Sequence, residues 1–235
     1  MKPLLVLAAF PMVLMGWASC SHSGTGHAAL PDPRAVDKSV PEYKNPFHPS
    51  TYAHFVARKD YRKTYDVYKD DTLLNRQPKK SRKIFVCLDE QRGQYLVDGL
   101  VAMDFPLSSG VKAYPTKTGD YAVISKKEDH TSNLYGKMYD AEGKCINYNA
   151  ESTDPVPEGG RFDGSPMPYW QRLTNAGLGL HVGKVRRHPV SHGCVRLPRN
   201  VAEILYRQTS IGTPVTIRKT PLPCLLYTSP SPRDA

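Results

Sequence analysis

The stretch Ile84-Phe85-Val86-Cys87-Leu88, with Gln94-Tyr95-Leu96-Val97-Asp98-Gly99-Leu100-Val101-Ala102-Met103-Asp104-Phe105-Pro106-Leu107 behind it, decides the fold class. Ile84, Val86 and Leu88 alternate with their neighbours, and so do Val101, Met103, Phe105 and Leu107, which is the period of a half-buried strand. Residues 94–97 read as a strand between them, and Asp98-Gly99 is the strongest short signal for a two-residue hairpin. Gly110, Pro115 and Gly119 punctuate the connection to a strand at 121–124. Further short strands are expected at 137–139, 145–148, 169–173 and 178–182, separated by Glu142-Gly143 and Asn175-Ala176-Gly177. One helix follows Pro198, with Val201, Ile204 and Leu205 on one face, and Gly212-Thr213-Pro214 ends it before a closing strand at 215–217. Many short strands and Gly-rich turns predict a mainly β domain, an antiparallel sandwich or barrel-like fold with one or two short helices.

Working toward the N-terminus, residues 20–81 carry little apolar periodicity. Pro31, Pro33, Pro41, Pro46 and Pro49 interrupt any long element, and the segment ends in Lys79-Lys80-Ser81-Arg82-Lys83. It reads as a flexible basic tether, with one short helix near 53–68. Before it, Lys2 and the apolar run Leu4-Leu5-Val6-Leu7-Ala8-Ala9-Phe10 lead into Gly16, Ala18 and Ser19, the layout of a secretory signal over residues 1–19. Trp17-Ala18-Ser19-Cys20 resembles a bacterial lipobox with Trp17 in place of an aliphatic residue. Cys20 is either a lipidated first residue or a cysteine beside an ordinary cleavage site, and the sequence leaves both open. Toward the C-terminus the domain pattern stops at Lys219; residues 220–235, Cys224 among them, read as a non-domain tail of artefactual origin.

The net charge of +10 suits nucleic acid, an anionic membrane surface or an acidic extracellular polymer. The export signal favours the last, in the periplasm or cell envelope, with membrane contact only through a lipid on Cys20. Of five cysteines, an odd total in an exported chain, at least one is unpaired for a reason. Cys87 and Cys145 form a disulfide or remain as two buried thiols.

The chemistry concentrates in His181 and in Ser191-His192-Gly193-Cys194. A thiol with a pKa of about 8.5 is only slightly ionised at neutral pH, so a nearby imidazole that takes its proton makes it a nucleophile. Both His181 and His192 are candidates for that base. Gly193 can adopt φ > 0 and turn the amides of residues 192, 193 and 194 into one oxyanion nest. A zinc set from His181, His188, His192 and Cys194 matches no standard ligand spacing and has no carboxylate beside it. No metal or organic cofactor is expected, since thiol acyl transfer needs only base, nucleophile and oxyanion donors.

Gly179-Leu180-His181-Val182-Gly183 and Pro189-Val190-Ser191-His192-Gly193-Cys194-Val195-Arg196-Leu197-Pro198 closely resemble the motif of the L,D-transpeptidase catalytic (YkuD-type) family. Ser108-Ser109-Gly110, Pro115-Thr116-Lys117-Thr118-Gly119 and Met167-Pro168-Tyr169-Trp170 extend the resemblance, which spans residues 82–219. Lys117 departs from the Pro found in many relatives, and the loop from His181 to Cys194 is shorter than in some branches. The resemblance implies that Cys194 attacks the diaminopimelate–D-Ala bond of a peptidoglycan tetrapeptide stem. An amine then resolves the thioester into a 3→3 cross-link or a protein attachment. It makes His181 the base, oriented by the Val182 carbonyl, gives His192, Gly193 and Cys194 the oxyanion pocket, and has Ser191 hold the turn. Arg196 is read as docking a substrate carboxylate or pairing internally to fix the loop, and Tyr169 and Trp170 as lining the donor groove or packing in the core. Lys184, Arg186, Arg187 and His188 form a basic loop that either attracts wall peptides or is simply solvated. The partners implied are stem peptides and an acceptor wall-anchored protein, not nucleic acid. Resolution by water, giving an L,D-carboxypeptidase or endopeptidase, and a non-catalytic wall-binding module are the alternatives.

Overall fold

The computed structural model describes residues 32–77 and 81–221. The segment expected to be an export signal, Cys20, and the tail from residue 222 with Cys224 lie outside the described residues.

The quoted stretch forms the centre of a six-stranded sheet. β2 (Arg82–Cys87), β3 (Arg92–Val97) and β4 (Leu100–Pro106) run antiparallel in sequence order, after a two-residue strand β1 (Tyr68–Lys69). Asp98 and Gly99 have φ of 51° and 82°, the left-handed pair that a type I′ turn requires, and Val97 pairs with Leu100 across it. The alternation on β4 is not continuous. The register shifts between Tyr95 and Leu96, and this bulge reverses the phase of the strand. Ala102, Met103 and Phe105 therefore join the main core, while Val101 packs in a separate cluster with Tyr52, Phe55, Val56 and Tyr61.

The remaining strands complete three sheets. They are β5 (Gly119–Ala122), β6 (Ser125–Lys127), β7 (Thr131–Tyr139), β8 (Cys145–Glu151), β9 (Arg161–Pro166), β10 (Trp170–Arg172), β11 (Gly179–Val182), β12 (Val195–Leu197) and β13 (Pro214–Arg218). The large sheet has the order β1-β4-β3-β2-β13-β5, the second β12-β11-β10-β6, and a small third β8-β7-β9. The fold is mainly β as the sequence predicts, and antiparallel pairs dominate it. Two pairings are parallel, β2 with β13 and β11 with β12, because each partner returns through a connection too long for a hairpin. The main core lies between the first two sheets. It joins Ile84, Val86, Tyr95 and Ile217 to Leu180, Val195 and Leu197 and to Val201, Ala202 and Leu205 of a helix at Arg199–Gln208.

That helix is α3. Two shorter ones precede it, α1 (Tyr52–Ala57) and α2 (Asp71–Asn75), capped by the side chains of Thr51 and Asp70. They correct the tether reading for the described part of residues 20–81: Tyr52, Phe55, Val56 and Tyr61 form a separate cluster with Val101, and Leu73 and Leu74 of α2 enter the main core. The physical reason is Asp104, a carboxylate buried in β4. It binds the Arg92 guanidinium through Nε at 2.5 Å and accepts from the hydroxyls of Tyr52 at 2.5 Å and Tyr61 at 2.8 Å. A buried ion pair needs its remaining lone pairs filled, and the tyrosines that fill them come from the segment whose composition looks like linker.

Candidate active site

Parallel pairing of β11 with β12 explains how residues 13 positions apart meet. Leu180 lies beside Val195 and His181 beside Arg196. Alternation sends Leu180, Val195 and Leu197 into the core and leaves His181, Cys194 and Arg196 on the opposite face, lining a cleft of about 1120 Å³. On the neighbouring strand Gln171 pairs with Leu180 and is buried, so Trp170 and Arg172 line the cleft with His181. A Cβ on Gly179 would come within 2.4 Å of the Trp170 ring, so only glycine lets the indole lie flat against β11. Tyr169 does not line the groove. It immediately precedes β10 with a φ of 55° and packs against the core and Tyr206, with ring centroids 5.6 Å apart.

His181 is buried, and its Nδ1 lies 2.7 Å from the Val182 carbonyl oxygen. A carbonyl only accepts, so Nδ1 carries the proton and Nε2 of the neutral ring keeps its lone pair. Burial pulls its pKa down to about 4, against the Val182 hydrogen bond, and the nearby charges of Arg196 and His130 add to the fall. The Cys194 thiol donates to the Gly177 carbonyl at 3.3 Å. Burial pushes its pKa up, opposed by the Gly179 backbone and the Arg196 charge. Both shifts run toward a neutral thiol and a neutral imidazole at rest.

The nucleophile's turn is fixed from two sides. Ser191 Oγ donates to the Cys194 carbonyl at 2.5 Å and accepts from the Gly193 amide at 3.2 Å. Thr116 Oγ1 donates to the Gly193 carbonyl at 2.6 Å and accepts from the Gly110 amide at 2.8 Å. The backbone of Ser191 is held as well, its amide donating to Ser109 O at 3.0 Å and its carbonyl accepting from Val111 N at 2.9 Å. Gly193 has φ of 110°, a conformation that other residues rarely adopt. Its amide donates to Ser191 Oγ, and among the described residues no acceptor in the fold takes the amides of His192 and Cys194. The His192 ring is stacked on Tyr135 at 4.3 Å and tilted against Tyr114 at 4.9 Å, packed into the cleft wall where the small third sheet meets the nucleophile's turn.

Arg196 is half-buried and has no carboxylate within 4.0 Å among the described residues; its stem packs over Gly183. The basic loop divides. Lys184 lines the cleft, and His188 is exposed. Arg186 donates its amide to Ser108 Oγ at 2.8 Å. Arg187 turns inward, donating to the carbonyls of Thr64 at 2.5 Å and Glu90 at 2.8 Å. Cys87, Cys145 and Cys194 are free thiols. Cys87 is buried and its pKa is pushed up to about 11, whereas Cys145 is half-exposed on β8, so the pair is neither a disulfide nor two buried thiols.

Sequence reasoning gave no role to Tyr114, Tyr135 or Gly177, and quoted Thr116 only as part of a motif. The signal for Thr116 was present in Pro115-Thr116-Lys117-Thr118-Gly119; nothing in the sequence links Tyr135 to His192, because their contact spans sheets.

A family model described as the L,D-transpeptidase catalytic domain (YkuD) matches residues 81–217. A probable L,D-transpeptidase 3 of Mycobacterium tuberculosis is 31% identical over 121 residues, covering 48% of this chain and 38% of that protein. The chain thus spans well under half the length of that relative. Among solved structures, an L,D-transpeptidase from Mycobacterium smegmatis aligns with a TM-score of 0.45 and 21% identity over 59% of this chain and 58% of that one. One from Stackebrandtia nassauensis aligns at 0.44 and 22% over 71% and 65%.

Proposed function

The chain belongs to the L,D-transpeptidase catalytic domain family, and from that premise we propose that it is a cell-envelope peptidoglycan L,D-transpeptidase with Cys194 as its nucleophile. One observation carries the reading. A single cleft is lined by Cys194, by His181, whose Nδ1 is held on the Val182 carbonyl and leaves Nε2 for proton transfer, and by the turn of His192 and Gly193.

The thiol proton passes to His181 Nε2 as sulfur adds to the carbonyl carbon of the diaminopimelate–D-Ala bond. The amides of His192 and Cys194 receive the developing oxyanion, each such donor lowering the barrier by roughly 3 kcal/mol. The C–N bond then breaks, and D-Ala leaves with the proton from the His181 imidazolium. An acceptor amine attacks the thioester, His181 takes a proton from it, and expulsion of the thiolate, reprotonated by His181, closes the cycle with a new amide bond. Because thiol and imidazole are both neutral at rest, proton transfer belongs to the attack itself. In this reading Arg196, which has no carboxylate partner among the described residues, docks a stem carboxylate.

Incubation with labelled tetrapeptide stems tests this reading. Cross-linked dimer with release of D-Ala is the expected product. Tripeptide alone means that water resolves the acyl-enzyme, and retention on sacculi without turnover would leave only a binding module.

A further inference from the structure

The residues lining the cleft include Lys117, Arg172, Lys184 and Arg196, and not one Asp or Glu. Arg172 is spent internally on the carbonyls of Thr174 at 3.1 Å and Asn175 at 3.0 Å. For Lys117, Lys184 and Arg196, no carboxylate lies within 4.0 Å among the described residues, and no carbonyl takes up their charged ends. The cleft therefore holds positive charge that the fold leaves unmatched.

These cations flank the nucleophile from two directions. Lys117 follows Thr116, whose hydroxyl is bonded to the Gly193 carbonyl, so it stands on the side of the 111–118 loop. Arg196 is two residues beyond Cys194 on β12, and Gly183, the neighbour of Lys184, packs against its stem, so these two stand on the β11–β12 side. Walls of low polarity between them, Leu134, Tyr135, Tyr148 and Trp170, focus the field of the cations into the cleft.

Resting on the transpeptidase reading, we propose that Lys117 and Lys184 make the cleft selective for stem peptides whose carboxylates are free rather than amidated. A carboxylate entering on either side meets an unpartnered ammonium or guanidinium and forms charge-assisted hydrogen bonds. The neutral amide of the same shape forfeits them and leaves the cation unmatched. Lys117 and Lys184 are exposed lining residues outside the set that carries the reaction, so they set preference and not chemistry.

The test compares three synthetic tetrapeptide stems at the same acceptor concentration. One carries all its carboxylates free, one has the carboxamide on the diaminopimelate, and one has it on the residue before that. The free stem is expected to exceed the better amidated stem by about threefold in kcat/KM, the scale of one ion pair to an exposed lysine. Added salt should narrow the gap by raising KM for the free stem more than for the amidated ones. The variants K117Q and K184Q should each shrink the preference at one carboxylate, acting on KM, and binding of the same stems to a C194A protein should reproduce the pattern without turnover. Equal kcat/KM on free and amidated stems, or variants that slow all three stems alike, would overturn the proposal while leaving the transpeptidase reading intact. Absence of turnover on every stem would instead strike the reading on which it rests.

Discussion

Replacing Thr116 by Val removes one oxygen and keeps the side-chain volume. That oxygen is bonded on both sides, donating to the Gly193 carbonyl and accepting from the Gly110 amide, at a buried position. In T116V the buried Gly110 N–H has no partner, and the Gly193 carbonyl loses the contact that sets the nucleophile's turn. One buried donor and one half-buried acceptor left without partners cost about 2–3 kcal/mol of stability. The amides of His192 and Cys194 are held by the same turn, and a displacement of about 1 Å there lowers the acylation rate on the order of a hundredfold. Urea unfolding reads the first effect, and the rate of acyl-enzyme formation on a tetrapeptide stem reads the second. T116S restores the hydroxyl and should recover most of both. If T116V unfolds within about 0.5 kcal/mol of the parent, a surface-like change, and acylates at the parent rate, the clamp plays no part in presenting the nucleophile.

Three further outcomes follow from the same geometry. With burial raising the Cys194 pKa, alkylation of Cys194 by iodoacetamide should keep rising with pH through neutrality and beyond the ordinary thiol range; a plateau across neutral pH would mean a standing thiolate–imidazolium pair. His181 has a folded pKa of about 4 against an ordinary 6.5, so the unfolded chain takes the proton first as pH falls. Stability should be full above pH 6.5 and decline toward pH 4 by up to about 3 kcal/mol, and H181Q, followed by urea unfolding at several pH values, should lack that component. D104N leaves the buried Arg92 charge uncompensated and should destabilise the domain by about 3–5 kcal/mol. Because Tyr52 and Tyr61 lose their anionic partner, limited trypsin digestion should cut at Arg58–Lys63 in D104N well before it cuts the parent.

The strands that carry the site were legible where one face is apolar and the other polar. Asp98-Gly99 announced its hairpin because both positions need left-handed backbone, and Val201, Ile204 and Leu205 marked α3 by spacing alone. The segment before residue 82 was misread because its contribution is polar. Tyr52 and Tyr61 are fixed by a carboxylate more than forty residues away, and no local periodicity reports such a bond. Val101 looked like Met103 and Phe105 in the alternation, and only the bulge at Tyr95/Leu96 separates them. At the site, Cys194, His181 and Ser191 stand out in the motif, but the division of labour in the turn does not. That the Gly193 amide is already bonded, that Tyr169 packs against the core while Trp170 lines the cleft, and that Arg187 turns toward Thr64 while Lys184 faces the cleft depend on pairings and loop paths the sequence does not specify.

The measurement closest to the central claim is intact-mass analysis after exposure to a tetrapeptide stem in the absence of any acceptor amine, followed by peptide mapping. The account predicts a tripeptidyl adduct, formed with release of D-Ala, that maps to Cys194, disappears when an amine is added and is absent from C194A. Release of D-Ala by C194A at the parent rate, or an adduct on Cys87 or Cys145, would contradict it.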